Sequence, residues 1–233
     1  YYALNANTTG ANNVAIGYYA CATETDGDGT TAIGYHALKD TTVGGTTAVG
    51  YYAGEALTTG GMSVAIGKQC LRYATTANQN TAVGEQAMEG VSGSSTGSYN
   101  VAMGLRALEG FTTGDHNTGI GYYALQSLTT GTNNTALGAY VLDANTTGGE
   151  NTAVGYAAAT AITTGAKNTF VGNYAGALTT TGDRNVGIGN WSFGNGVTTG
   201  DYNTAIGDNS ARSLTSGNQN TFLGNQAGYH TTT

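Results

Sequence analysis

The chain has no proline, two cysteines in 233 residues, and 9% charged residues, of which only seven are Lys or Arg. With no proline, no corner relies on a ring-locked φ, and every turn must draw its geometry from glycine, from side-chain hydrogen bonds or from packing. Seven scattered cations against a formal net charge of −7 leave no basic patch for phosphates, so nucleic acid is not an expected partner. No run approaches the roughly 18 apolar residues of a membrane span, and no charged-then-apolar stretch marks a signal peptide.

What is present is order by repetition. The composition is 39% apolar with 39 glycines, and Thr, Val and Ile recur in register, which argues against a disordered polymer. A 17-residue unit runs through the chain, seen in Asn117–Glu150 as NTGIGYYALQSLTTGTN followed by NTALGAYVLDANTTGGE. If the glycine after the aliphatic residue is slot five, it falls at 17, 34, 50, 67, 84, 104, 121, 138, 155, 172, 189, 207 and 224. The spacing departs from 17 only at intervals of 16, 20 and 18. Such a period decides architecture before local propensity does.

Slot four is Ile, Val, Leu or Met in all thirteen copies, slot two is Thr or Val, and slot three is mostly Ala, with Phe170 and Phe222 as large exceptions. That alternation predicts a short strand over slots one to five. Slot eight is small and slot nine is often Leu or Met. A further apolar residue such as Leu57, Phe111, Leu128 or Ile162 precedes the Thr-Thr-Gly run, so a second short strand is expected there. Gly60, Gly114, Gly131 and Gly165 in slot fifteen are expected to supply left-handed corner dihedrals. A helix is excluded, because each glycine would cost about 1 kcal/mol against Ala and no 3.6-residue stripe compensates.

The expected fold is therefore all-β, a β-solenoid or β-roll of about 13 turns, one per copy, forming a single repeat domain over residues 1–233. At about 4.8 Å per rung the rod would be roughly 60 Å long. The array starts and stops within a unit, and the expectation is a piece of a longer fibrous chain. Three repeats place Cys21 and Cys70 roughly 14 Å apart at that rung spacing, beyond the roughly 7 Å limit for a disulfide. Two free, packed thiols are expected.

Slot one is Asn in ten copies, among them Asn100, Asn117, Asn134, Asn151, Asn168 and Asn185. Stacked at one corner, their amides would bond to each other and to the turn backbone as a structural ladder. The copy starting at Asn80 carries extra residues around Ser92–Ser95, expected as a surface loop. Tyrosines crowd slots six and seven: Tyr18, Tyr19, Tyr35, Tyr51 and Tyr52 in the first turns, then Tyr122 and Tyr123. On a strand, each adjacent pair would send one ring inward or into an interface and one outward. The outward rings would suit a saccharide or a protein, while stacking between turns accounts for the same ladder with no ligand.

Asn13–Gly17 (NVAIG), Ser63–Gly67 (SVAIG) and Asn100–Gly104 (NVAMG) resemble the head repeats of trimeric autotransporter adhesins, and the Asn-Thr-Ala-Val-Gly-Tyr copies resemble repeats of phage tail fibres and other virion fibre proteins. The resemblance spans the whole chain. It implies a left-handed β-roll, a homotrimer, and a place outside the cell or on a virion, although the adhesin unit is somewhat shorter than 17 residues. Oligomerisation also follows from the pattern: slot four and the slot-three Phe170 and Phe222 point opposite ways, so one set must be covered from outside.

No enzyme is expected. His36, His116 and His230 occupy different slots, and no Cys-x-x-Cys or His-x-x-x-His spacing occurs. Asp26-Gly27-Asp28-Gly29 reads as a solvated turn, one acidic turn being short of the roughly six ligands of a calcium site; no metal or cofactor is expected. Two roles remain: a fibre shaft or head that attaches to a host cell through a surface glycan or protein receptor, and a self-assembling extracellular filament. Ice binding through the adjacent Thr-Thr pairs is weaker, since both cannot face outward from one strand.

Overall fold

The computed structural model describes residues 1–233 and divides them into two compact units, Tyr1–His116 and Asn117–Thr233. Both are parallel β-solenoids with one three-residue strand per turn. The first unit holds β1 (Val14–Ile16), β2 (Thr31–Ile33), β3 (Thr47–Val49), β4 (Val64–Ile66), β5 (Thr81–Val83) and β6 (Val101–Met103). The second holds β7 (Thr118–Ile120), β8 (Thr135–Leu137), β9 (Thr152–Val154), β10 (Thr169–Val171), β11 (Val186–Ile188), β12 (Thr204–Ile206) and β13 (Thr221–Leu223). Within each unit every strand pairs in parallel with the next in the chain, slot on slot: Ala32 faces Ala48, and Ile120 faces Leu137. No helix is long and apolar enough to cross a membrane.

The strands are short because slot five ends them. Its glycines have φ between +119° and +146°, a region L side chains rarely adopt. A Cβ on Gly172 would also stand 2.5 Å from the carbonyl oxygen of Gly189 on the next turn, so only glycine lets the turns close up here. The glycine of slot fifteen works differently from expectation. Gly60, Gly114, Gly131 and Gly165 do not have positive φ; a Cβ on Gly165 would instead lie 2.7 Å from Gly182 O. Close approach, not a left-handed dihedral, selects glycine at that corner.

The left-handed conformations fall on other residues. Slots seven, nine and seventeen carry them in turn after turn, as at Tyr123 (φ 58°), Leu125 (φ 55°) and Asn133 (φ 59°). For this reason the second strand does not form. Backbone bonds still run from turn to turn there, Leu125 N–H to Val141 O (3.0 Å) and Ser127 N–H to Asp143 O (3.1 Å), but alternate left-handed residues break the pleat.

The core is narrow and lined by slots three, eight, nine and twelve: Ala136, Ala124, Leu125 and Leu128 are all fully buried. Slot three therefore points inward, and slots two and four point out. Phe170 lies inside with 1% exposure, so slot four is the set left uncovered by its own chain. Cys21 and Cys70 are free and buried. Slot twelve, apolar in Leu57, Phe111, Leu128 and Ile162, holds Glu24, whose carboxylate accepts from Cys21 Sγ (2.6 Å) and Thr30 Oγ1 (2.9 Å).

Candidate functional site

The asparagines of slot one point into the corner and each serves two turns. Asn151 Oδ1 accepts from the Asn168 amide (3.0 Å) and Asn168 Nδ2 (3.1 Å), while Asn151 Nδ2 donates to Gly165 O (2.8 Å). Asn134 and Asn185 bond in the same way to Gly148 O and Gly200 O, Asn168 to Gly182 O, Asn117 to Gly131 O, and Asn100 to Gly114 O. All six are buried, so the column holds turns together and offers nothing to a ligand.

The tyrosines form the surface feature. Slot seven is left-handed (Tyr19 φ 53°, Tyr52 φ 58°), so slots six and seven lie on a turn and not on a strand. Both rings of a pair consequently stay at the surface, edge to face, with centroids 4.5 Å apart for Tyr18 and Tyr19 and 4.3 Å for Tyr51 and Tyr52. Of the expected placements, one ring inward or into an interface and one outward, the inward one does not occur, because strand alternation does not apply on this turn.

Along the first unit, slot six builds one parallel column: Tyr1 on Tyr18 (6.0 Å, 5°), Tyr18 on Tyr35 (5.4 Å, 16°) and Tyr35 on Tyr51 (5.4 Å, 20°). Each ring is close to parallel to its neighbours one rung away. Tyr18, Tyr35 and Tyr51 are 40%, 39% and 47% exposed. A second column in slot seven runs from Tyr2 on Tyr19 (4.9 Å) through His36, set edge-on to Tyr19 and Tyr52. A hydrogen bond with Tyr51, followed by loss of water, pushes the Tyr52 hydroxyl up to about 12.

Slot ten closes this column and was not singled out in the sequence. Glu55 bridges His36 Nδ1 (3.2 Å) and Arg72 Nε (3.0 Å), and the Arg72 guanidinium lies over the rings of Tyr52 (4.4 Å) and Tyr73 (4.8 Å). The signal was available: Lys39, Glu55, Arg72 and Glu89 alternate in charge at one slot on successive turns. In the second unit Tyr122 and Tyr123 (4.2 Å) begin a run through Tyr140, Tyr156 and Tyr174 that ends on Trp191, stacked on Tyr174 at 4.4 Å. Arg212 lies over Trp191 and Tyr229.

The other surface candidates are plainer. Asp28 Oδ1 accepts from the Ala11 amide (2.6 Å), so it is engaged by the turn beneath. Ser92–Ser94 are exposed, and buried Ser95 ties the loop down by donating to Phe111 O (2.8 Å). The outward slot-four residues make an apolar row in each unit. Ile16, Ile66 and Met103 are exposed in the first, and Ile120, Leu137, Ile188, Ile206 and Leu223 in the second. The class these features define is a parallel β-solenoid with a repeat of 17 residues. Comparison with family models, with curated proteins and with solved structures finds no match.

Proposed function

We propose that the chain is a structural and adhesive fibre module, the shaft or head of a homotrimeric fibre on a virion or cell surface, of the kind its repeats resemble in adhesin heads and phage tail fibres. The observation that carries this reading is the outward row of slot four, exposed at 38% for Ile120, 39% for Ile188 and 37% for Ile206. An apolar row repeated at every rung is the surface that a partner covers. Its period selects the partner: only a chain with the same spacing of about 4.8 Å stays in register along the row, and a second copy of this chain has that spacing. The role is mechanical, with repeated weak contacts to a surface glycan or protein receptor adding up through the trimer. The contact surface is the exposed row of Tyr18, Tyr35 and Tyr51.

Native mass measurement tests the assembly. A trimer is expected, and Ile120→Lys with Ile188→Lys should yield monomers with an unchanged circular dichroism spectrum. A wild-type monomer at high concentration would remove the trimeric fibre, and long uniform filaments under the electron microscope would make the chain a filament subunit instead. Glycan arrays test the adhesive half, and silence across them would leave a spacer.

A further inference from the structure

We propose that the tyrosine column of the first unit is a site of oxidative cross-linking, in which Tyr18 joins Tyr35 and Tyr35 joins Tyr51 as dityrosine, stapling successive turns. The oxidant is hydrogen peroxide acting through a haem peroxidase. Each phenol gives up one electron and one proton, and the two phenoxyl radicals couple through ring carbons ortho to oxygen. The hydrogens displaced at the new bond move to the oxygens and restore both phenols. Two hydrogens leave per bond, and one peroxide takes them as it is reduced to two waters.

Geometry favours coupling at these residues, as it does for Tyr2 and Tyr19, whose rings lie 4.9 Å apart at 17°. The rings of Tyr18, Tyr35 and Tyr51 are close to parallel and adjacent, with centroids 5.4 Å apart and interplanar angles of 16° and 20°. Backbone bonds on either side hold them one rung apart: Gly34 N–H to Ile16 O (2.7 Å) and His36 N–H to Tyr18 O (2.9 Å), then Gly50 N–H to Ile33 O (2.8 Å) and Tyr52 N–H to Tyr35 O (2.9 Å). Radical pairs held this way do not diffuse apart before coupling. The rings are exposed enough for the oxidant to reach them, while the thiols of Cys21 and Cys70, which would quench a phenoxyl radical, are buried. The second unit supplies an internal contrast. Tyr123 and Tyr140 share the parallel arrangement (5.7 Å, 16°), whereas Tyr122–Tyr140, Tyr140–Tyr156 and Tyr156–Tyr174 meet edge-on at 73°, 79° and 77°.

The test is to oxidise the dilute full chain with peroxidase and peroxide, then digest it and map cross-linked peptides by mass. Intrachain Tyr18–Tyr35 and Tyr35–Tyr51 bonds are expected, each lowering the mass by two hydrogens, with the edge-on pairs of the second unit uncoupled. Tyr35→Phe keeps a ring in the stack but cannot form a phenoxyl radical, so both bonds should vanish while a Tyr2–Tyr19 bond persists. Absence of dityrosine, coupling only between chains, or equal coupling of the edge-on pairs would overturn the proposal.

Discussion

Phe170 on β10 and Gly187 on β11 are register partners, and the ring of the first fills the space the side chain of the second would take: a Cβ on Gly187 would stand 2.7 Å from Phe170 Cδ1. Gly176, in slot nine of the same turn as Phe170, completes the exchange, with its Cβ position 2.6 Å from Phe170 Cε1. The core thus keeps its volume by trading one large ring for two missing side chains. Gly176 has φ +64°, but its slot carries Leu125 at 55° elsewhere, so the backbone there tolerates a side chain. Gly176→Ala should therefore destabilise through overpacking, by about 1–3 kcal/mol. Phe170→Ala alone should cost about 3–5 kcal/mol, and in that background Gly176→Ala should be close to neutral. A denaturant-melt double-mutant cycle measures the coupling, and additive costs would refute the exchange.

Asn151 offers a second test, because its amide serves partners on the turn above. Asn151→Ala leaves Gly165 O and the Asn168 amide without these bonds in a buried corner. Each orphaned group costs about 1–3 kcal/mol, so a loss of roughly 2–6 kcal/mol is expected. Exposed Ser127→Ala should stay within about 0.5 kcal/mol of wild type. Equal melting points for the two variants would show that the column contributes nothing.

Cys70 is inside the core and donates to Ala82 O (3.1 Å), and burial pushes its thiol up to about 12, against the pull of a backbone hydrogen bond. The thiolate is the reactive form, so the native chain should resist a thiol reagent at pH 8 and react within mixing once denaturant is added. Burial and the Glu24 carboxylate raise the Cys21 thiol as well, so it should follow the same course. Fast labelling of the folded chain would place either thiol at the surface.

How much of this was legible in the sequence depends on which physical constraint set each feature. Although the strand expected over slots one to five covers only slots two to four, the period, the parallel register of Ile120 on Leu137 and the free thiols all follow from spacing alone. Which strand face is the core did not, because Ala136 inward with Leu137 outward and the reverse give the same alternation. The missing second strand was hidden for another reason. Tyr123 and Leu125 are residue types that avoid left-handed dihedrals, at about 1–2 kcal/mol each, and stacking on the turns above and below holds them there. The same override put Tyr18 and Tyr19 on one side, where strand logic separated them. In contrast, the Glu55–Arg72 bridge beside the tyrosines was readable as alternating charge in slot ten.

Asp143, also in slot ten, gives a prediction whose sign depends on pH. Its Oδ1 accepts from Thr160 Oγ1 at 2.5 Å, but burial outweighs that bond and its backbone bonds and raises the folded carboxyl above its usual range. A raised acid binds its proton more tightly folded than unfolded. Its ionisation therefore opposes folding at every pH above the folded value, and that penalty disappears below the unfolded value, near about 3.9. Asp143→Asn keeps an oxygen for Thr160 and removes the charge. The variant should melt higher than wild type at pH 7, and the gap should narrow as pH falls through the carboxylate range. Melting curves at several pH values decide it: a gap that widens on acidification, or a variant less stable at pH 7, would mean that the ionised carboxylate supports the fold.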